Sequence, residues 1–548
     1  MSRRALATVL GLSSAALAGV TVQLPGLVVP PAYGDQRDAA ELIFTKSWDA
    51  YRQFAFGHDE LDPIAKQGND DLGGWGATIV DALPTMLVMG LTDRFNDALN
   101  FTSTVDFSKS PAAGTVSVFE TTIRWLGGLI SAYELSDGQH PILLQKAKEV
   151  ADQLSNAWVG SNPIPYGHMT IATGVPNVDT TNIAEAGTLS LEWHRLSELS
   201  GNDTYSKLGV GSARIITQQG TPLPGLAPQV IHPENGHFGD SYITWGGGSD
   251  SYFEYLIKFA RLTNTDDHVF ADTWATAVDS SIKNLLKVTI SLSPTHPKLR
   301  KFTQKSTVGN WSFLADRDDN GRIRHVGSHL ACFYAGNWLL GGKLLNNQTI
   351  IDIALELNDG CWNTYASTAT GIGPETFAFI GTDGNFTGGS AITPSQQAFF
   401  NQHGYYITGA DYIQRPEVLE SNFHAWRVTG DTKYLDRAKA AIASFNKFLT
   451  GSNIAGFASL NNVNSANGGF IDITESFWFA EVLKYLYLTF DDPSHISLDD
   501  FVFNTECHPL KAPPALDSYG SGKFVPNKAF APIKTTGPRP AVSPRPGQ

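Results

Sequence analysis

Leu191-Glu192-Trp193-His194-Arg195-Leu196 runs into Ser200-Gly201-Asn202-Asp203-Thr204-Tyr205, and this stretch decides the fold. Apolar residues at helical spacing give the first helix, and Gly201 ends it in a left-handed cap. Asn202 and Asp203 turn the chain into a second helix anchored by Tyr205. The unit returns where Phe423-His424-Ala425-Trp426-Arg427 meets Thr429-Gly430-Asp431-Thr432-Lys433-Tyr434, and more loosely at Tyr133 to Gly138 and Phe259 to Asp266. The spacing is irregular but the unit repeats, which predicts stacked αα-hairpins and an all-α fold. Strand-like alternation is confined to short loops such as Gly236 to Thr244. No glycine-rich phosphate loop follows a strand, which leaves dinucleotide and P-loop folds without support. No interdomain linker interrupts the pattern. Residues 35–512 are therefore expected to form one domain, and residues 513–548, rich in Pro, Gly, Lys and Ser, an extended tail without fixed structure.

Charge and composition narrow the partners. The 548 residues are 42% hydrophobic, 17% charged and 11% aromatic, with a net charge of −14. Phosphate backbones demand clustered Lys and Arg, and no basic patch is present, so nucleic acid is excluded as a partner. A neutral ligand fits better, and the abundant aromatic side chains suit a sugar. Arg3-Arg4 precedes an apolar run from Ala5 to Val22 that contains Ala16-Leu17-Ala18. Residues 1–22 thus read as an export signal with a cleavage site near residue 18; the alternative is an uncleaved anchor in a Golgi or endoplasmic-reticulum membrane. Five Asn-x-Ser/Thr sequons, at Asn100, Asn202, Asn310, Asn347 and Asn385, agree with a secretory route. Of three cysteines, Cys332 and Cys361 flank an expected helix and are paired here as a disulfide, leaving Cys507 free.

Core helices avoid charge, because an unpaired buried carboxylate costs several kcal/mol or takes up a proton. Yet acids interrupt the apolar runs at Val118-Phe119-Glu120, Asp250-Ser251-Tyr252, Arg415-Pro416-Glu417 and Glu475-Ser476-Phe477, and again at Phe503-Asn504-Thr505-Glu506-Cys507-His508. Several intrusions spread over most of the chain suggest one pocket. Glu120 and Arg124, four apart, share a helix face, as a structural ion pair or as an acid beside a cation that orients substrate. Asp250 follows Gly246-Gly247-Gly248-Ser249 at a helix start, where a carboxylate caps N–H groups or faces a cavity rigidly. Pro416 takes the first helical position, so Glu417 and Glu420 lie on one face of the first turn, with Arg415 as a candidate cation. Phe477 and Glu481 also share a face, an aromatic and a carboxylate suited to the CH face and hydroxyls of a sugar. Asp316-Arg317-Asp318-Asp319-Asn320-Gly321 begins like an EF-hand, but Gly327 stands at the twelfth position in place of glutamate, so it is set aside as a calcium loop. No organic-cofactor motif, zinc-spaced histidine pair or Gly-x-Ser-x-Gly elbow is present. Carboxylates with cationic and aromatic neighbours favour glycosidic hydrolysis, which needs one protonated acid and one base.

These motifs, with Ile183-Ala184-Glu185, resemble those of the class I α-1,2-mannosidases, glycoside hydrolase family 47, in order and over residues 38–512. The resemblance implies an (α/α)7 barrel with one Ca²⁺ at its base and inverting release of α-1,2-linked mannose from high-mannose N-glycans. It implies Glu120 as general acid, directly or through a water, Glu417 as general base and Asp250 as a third essential carboxylate. Thr505 matches the residue that binds Ca²⁺ through its carbonyl and hydroxyl oxygens. Arg124, Glu185, His329, Arg415, Glu420, Phe477, Glu481 and Glu506 match positions that contact sugar or organise the metal's waters. Cys332 and Cys361 match the family's disulfide. Gly248 stands where endoplasmic-reticulum members carry an arginine that restricts them to one mannose. A small residue there is similar to the secreted fungal and Golgi-like members, which trim toward a five-mannose core. Ser328 replaces an aspartate found before the histidine in some relatives, and Cys507 a common alanine. The expectation is a secreted, monomeric Ca²⁺-dependent hydrolase without organic cofactor. The alternatives are an inactive, glycan-binding quality-control protein of the same fold and an α/α-barrel hydrolase acting on glucans.

Overall fold

Burial separates the helices into two sets. The computed structural model describes residues 19–112, 114–286, 307–389 and 391–533. Seven helical segments there are buried over most of their length: Ala77–Val88, 118–135, 183–200, Asp250–Thr263, Phe333–Leu344, Glu417–Thr429 and 478–490. Asp250–Thr263 buries every residue from Ser251 to Leu262, and Phe333–Leu344 buries all but Lys343. Helices apolar on all sides belong inside, walled by others. Between them come Gly34–Phe54, Thr92–Thr104, Pro141–Leu154, Asp203–Gln218, Val269–Asn284, Gln348–Ala366 and Lys433–Phe448. These bury a stripe only, as in Lys433–Phe448, where Tyr434, Leu435, Ala438, Ala441, Ile442 and Phe445 recur at helical spacing.

Each inner segment packs on the next along the chain, and 478–482 packs on Ala77–Val88 to close the ring. Gly34–Phe54, the first helix, is the outer partner of Leu483–Phe490, the last. The result is the expected (α/α)7 barrel, sealed by its two ends. The layers approach closely: a Cβ on Gly341 would lie 2.1 Å from the Trp274 ring.

The two barrel faces differ by chain topology. Inner helices pass to outer ones through short turns, with Gly201 and Gly430 as the left-handed caps the sequence predicts. Outer helices return to inner ones through long loops carrying short antiparallel strands. All inner helices after the first outer one therefore begin on the loop-rich face. From the opposite face a hairpin, Phe501–Phe503 paired with Pro509–Lys511, rises into the ring. Asn504 at its tip donates to Ile123 O at 3.0 Å and Glu192 Oε1 at 2.8 Å, and Ser131 Oγ donates to Pro509 O at 2.7 Å. The hairpin closes the barrel floor.

Three expectations change. Residues 19–22, placed in the export signal, belong to the folded body: Val22 is buried and its N–H donates to Asp499 Oδ1 at 2.6 Å. Residues 1–18 lie outside the described residues. Residues 513–533 are extended but fixed. Tyr519 is buried and donates to Asn264 Oδ1 at 2.7 Å, and Val525 N–H donates to Thr276 Oγ1 at 2.8 Å. Side chains of outer and inner helices capture its backbone, which composition alone does not reveal. Residues 534–548 lie outside the described set. Pro416 precedes the helix, whose first residue is Glu417. The EF-hand-like run, set aside as a calcium loop, makes a two-stranded turn in which Asp318 accepts from Asn320 N–H and Arg322 N–H, so its acid serves the backbone.

The five sequon asparagines are exposed. Among the described residues no helix is long and apolar enough to cross a membrane. Cys332 and Cys361 form a disulfide and Cys507 is free and buried. With 29 residues of separation, replacing both bridged cysteines by serine is expected to cost about 3–4 kcal/mol, read as a lower denaturant midpoint under non-reducing conditions.

Candidate active site

The inner helices surround a cavity of about 310 Å³ that opens on the loop-rich face. Glu120, Arg124, Glu185, Gly248, Asp250, Arg415, Glu417, Glu420, Phe477, Glu481, Thr505 and Glu506 all line it. Residues separated by almost 400 positions thus share one site. His329 lies behind the wall, holding Glu417. Phe119, Asn182, Glu254, Leu330 and Phe333 also line it, and sequence reasoning did not single these out.

Arg124 is the hub. It lies in a π-helical turn, Thr122–Leu126, within the segment 118–135, and such turns often mark functional sites. Its guanidinium pairs with Glu120 Oε2 at 2.8 Å, touches Glu506, lies 3.6 Å from Asp81 Oδ2 and donates to Ser476 Oγ at 3.2 Å. The Phe477 ring faces it at 5.4 Å. Asp81 is fully buried and also accepts from Ser476 Oγ at 2.5 Å, its charge held by His508, Arg124 and Ser476 against the penalty of burial. Asp81 escaped notice because one acid in an apolar helix carries no local signal of its partner.

Glu417 is gripped from two sides. His329 Nδ1 meets its Oε2 at 2.7 Å, and Tyr365 OH meets His329 Nε2 at 2.6 Å. Arg415 NH1 lies 3.7 Å from Oε1, with Arg415 itself held by Glu375 at 2.6 Å. Burial pushes Glu417 up, but the His329 hydrogen bond and the attraction of His329 and Arg415 more than cancel it, leaving the group below the ordinary carboxylate range. Asp250 sits at the first position of its helix and has no such partner. Burial, with Glu254 and Glu417 nearby, raises it to about 7. The cavity therefore sets an acid that holds its proton near neutrality against a base that stays ionised, the separation that acid–base chemistry requires.

Deeper in the cavity the charge is negative. Eight carboxylates line it against two arginines. Burial and mutual repulsion push Glu420, Glu481 and Glu506 well above the ordinary range, although Lys258 opposes this at Glu420 and Arg124 at Glu506. Lys258 and Lys484 lie buried behind them, Lys258 paired with Glu254 and Lys484 donating to Cys507 O at 2.7 Å. Thr505, at the hairpin tip, has its N–H held by Tyr255 OH at 3.1 Å. Among the described residues its carbonyl and hydroxyl oxygens accept no hydrogen bond. Two free oxygen donors beside crowded acids fit a hard divalent cation. No group of three or more His, Cys, Asp or Glu among the described residues is placed to hold a metal ion together.

Gly248 has φ +81, in the left-handed region, and a Cβ there would lie 2.6 Å from Gln229 Nε2. The left-handed backbone favours glycine at this rim and leaves it open. Glu185 lies in the first turn of the helix Ile183–Gly187, where its N–H donates to the Asn182 cap, and its carboxylate accepts from Thr181 Oγ1 at 2.6 Å.

A ring of paired inner and outer helices with acids at its centre defines an α/α-barrel hydrolase. The chain matches the model of glycosyl hydrolase family 47 over residues 43–512 and belongs to that family. It is 40% identical over 524 residues to a mannosyl-oligosaccharide α-1,2-mannosidase 1B of Emericella nidulans, covering 91% of this chain and 98% of that protein. It is 37% identical to a mannosyl-oligosaccharide α-1,2-mannosidase of Penicillium citrinum over 502 residues, 88% of this chain and 93% of that one. The solved α-1,2-mannosidase from Trichoderma reesei superposes with a TM-score of 0.80 at 35% identity, covering 87% of this chain and 99% of that one.

Asp250 also yields a stability prediction. Its carboxyl is raised in the fold from 3.8 to about 7, so its contribution is fully present below the lower value and is lost as pH rises through the higher one. Asp250→Asn is expected to flatten that decline, leaving the variant more stable than the parent on the alkaline side. Thermal denaturation across pH reads it, and parallel curves for the two proteins would remove the buried-acid assignment.

Proposed function

We propose that the protein is a secreted, Ca²⁺-dependent, inverting exo-α-1,2-mannosidase that trims high-mannose N-glycans. The observation that carries the reading is the convergence of Glu120, Asp250 and Glu417 above the free oxygens of Thr505 in one cavity. Relatives named for this activity across nearly the whole chain support it. The terminal mannose enters from the loop-rich face, with Phe477 against its CH face and Arg124 and Glu185 toward its hydroxyls. Glu417, held ionised by His329 and Arg415, takes a proton from a water that attacks the anomeric carbon. Glu120 passes a proton to the departing oxygen, directly or through a water, and Asp250, protonated near neutrality, is the second group able to do so. The acid–base pair then acts on opposite faces of the ring, as inversion demands. Thr505 would hold Ca²⁺, with Glu420, Glu481 and Glu506 orienting its waters, and the bound ion would grip sugar hydroxyls and favour ring distortion. Gly248 keeps the rim open for several mannoses in turn.

The protein is expected to release mannose from α-1,2-mannobiose and several mannoses from a nine-mannose glycan, and to lose both activities on chelation. Cleavage of maltose in place of mannobiose, or activity indifferent to chelator, would sink this reading.

Glu417→Gln is expected to lower kcat by about 10²–10⁴ with KM little changed. On α-mannosyl fluoride, whose leaving group needs no proton, the acid variant should recover and the base variant should not. Recovery by Asp250→Asn alone would give Asp250 the acid role, and recovery by Glu120→Gln would leave it with Glu120.

A further inference from the structure

Tyr365 stands near the end of the outer helix Gln348–Ala366 and does not line the cavity. Its hydroxyl nonetheless reaches the site through one intermediary. His329 Nε2 lies 2.6 Å from Tyr365 OH, and His329 Nδ1 lies 2.7 Å from Glu417 Oε2. Both side chains are buried, which keeps bulk water from either ring nitrogen. Each partner is also fixed apart from that contact. Trp362 stacks on the Tyr365 ring at 5.4 Å, and the His329 backbone N–H donates to Glu375 O at 2.9 Å. The disulfide ties the two segments together, with Cys332 three residues after His329 and Cys361 four before Tyr365. The Tyr412 hydroxyl is hydrogen-bonded to that of Tyr365 and lies 3.2 Å from Arg415 O, so the tyrosine pair joins the two residues that grip Glu417.

An ionised carboxylate only accepts, so His329 Nδ1 carries the hydrogen that lies between it and Glu417. The other nitrogen then bears a lone pair if the imidazole is neutral, or a second hydrogen if it is charged. Either one, buried without a partner, is costly. A hydroxyl satisfies both states, because it gives its hydrogen to a lone pair or accepts one from an N–H. Burial, with Glu417 nearby, pushes Tyr365 well above its ordinary range, so the hydroxyl keeps its proton. A phenylalanine would fill the same space against Trp362. The hydroxyl is therefore surplus to packing, and it is placed to hold the imidazole.

We propose that Tyr365 is a positioning residue of the hydrolytic site: its hydroxyl fixes His329 with Nδ1–H aimed at Glu417, and so sets the orientation of the base. The inference rests on the mannosidase reading above and adds a residue that acts without touching sugar. Tyr365→Phe is expected to lower kcat on α-1,2-mannobiose roughly tenfold with KM little changed. The loss should persist on α-mannosyl fluoride, where a base is still required. His329→Asn puts an amide nitrogen near the place of Nδ1 and removes Nε2, so in that background Tyr365→Phe should cost nothing further. Additive losses, an unchanged kcat, or recovery on the fluoride would overturn the proposal. The Nδ1–H proton gives a readout independent of turnover. It is expected as a far-downfield proton resonance that is absent from His329→Asn and shifts or broadens in Tyr365→Phe. If the parent cleaves neither mannobiose nor the nine-mannose glycan, the mannosidase reading falls by itself, and this resonance still decides. A parent without the signal, or a signal unmoved by Tyr365→Phe, refutes the role given to Tyr365.

Discussion

Arg124 holds carboxylates from three distant parts of the chain: Glu120 on its own helix, Asp81 on the neighbouring inner helix and Glu506 at the tip of the floor hairpin. The guanidinium is buried, and so are Asp81 and Glu506. Removing one member of such a set leaves an unpaired charge in a low-dielectric interior, which costs about 3–5 kcal/mol. The pairing therefore fixes the hairpin against the barrel wall as firmly as it fixes charge. Because Thr505 lies on that hairpin, the height of the cavity floor follows from the same interaction.

The barrel supplies what this cluster needs. Inner helices buried on nearly all sides exclude water, and the fork geometry of Arg124 lets one cation serve several acids. Long loops gather where the inner helices begin, so Asp250 and Glu417, each the first residue of its helix, point into the same opening. Their environments then diverge. At Asp250 burial and neighbouring acids outweigh the Ser251 N–H and Arg415, whereas at Glu417 His329 and Arg415 outweigh burial, and the same residue class is driven in opposite directions.

Twelve of the residues named from short motifs line the one cavity, and the Gly201 and Gly430 caps followed from local turn chemistry. Local reasoning stopped at partners supplied from a distance. Asp81, Glu375 and Tyr365 each complete the grip on a site residue, yet each sits in an ordinary helical or loop context. The tail shows the opposite error. Its composition suggested freedom, but backbone capture by Thr276 and Asn264 fixes residues 513–533, and such capture depends on side chains more than 200 positions away.

The amino-acid sequence by itself determined the helical hairpins and the acids that had to be explained, because periodicity, caps and charge within apolar runs are local properties. Only the tertiary structure decided which carboxylate is raised and which lowered, and which cation answers which acid. Those outcomes depend on burial and on distances between remote residues, and neither is a property of any one segment.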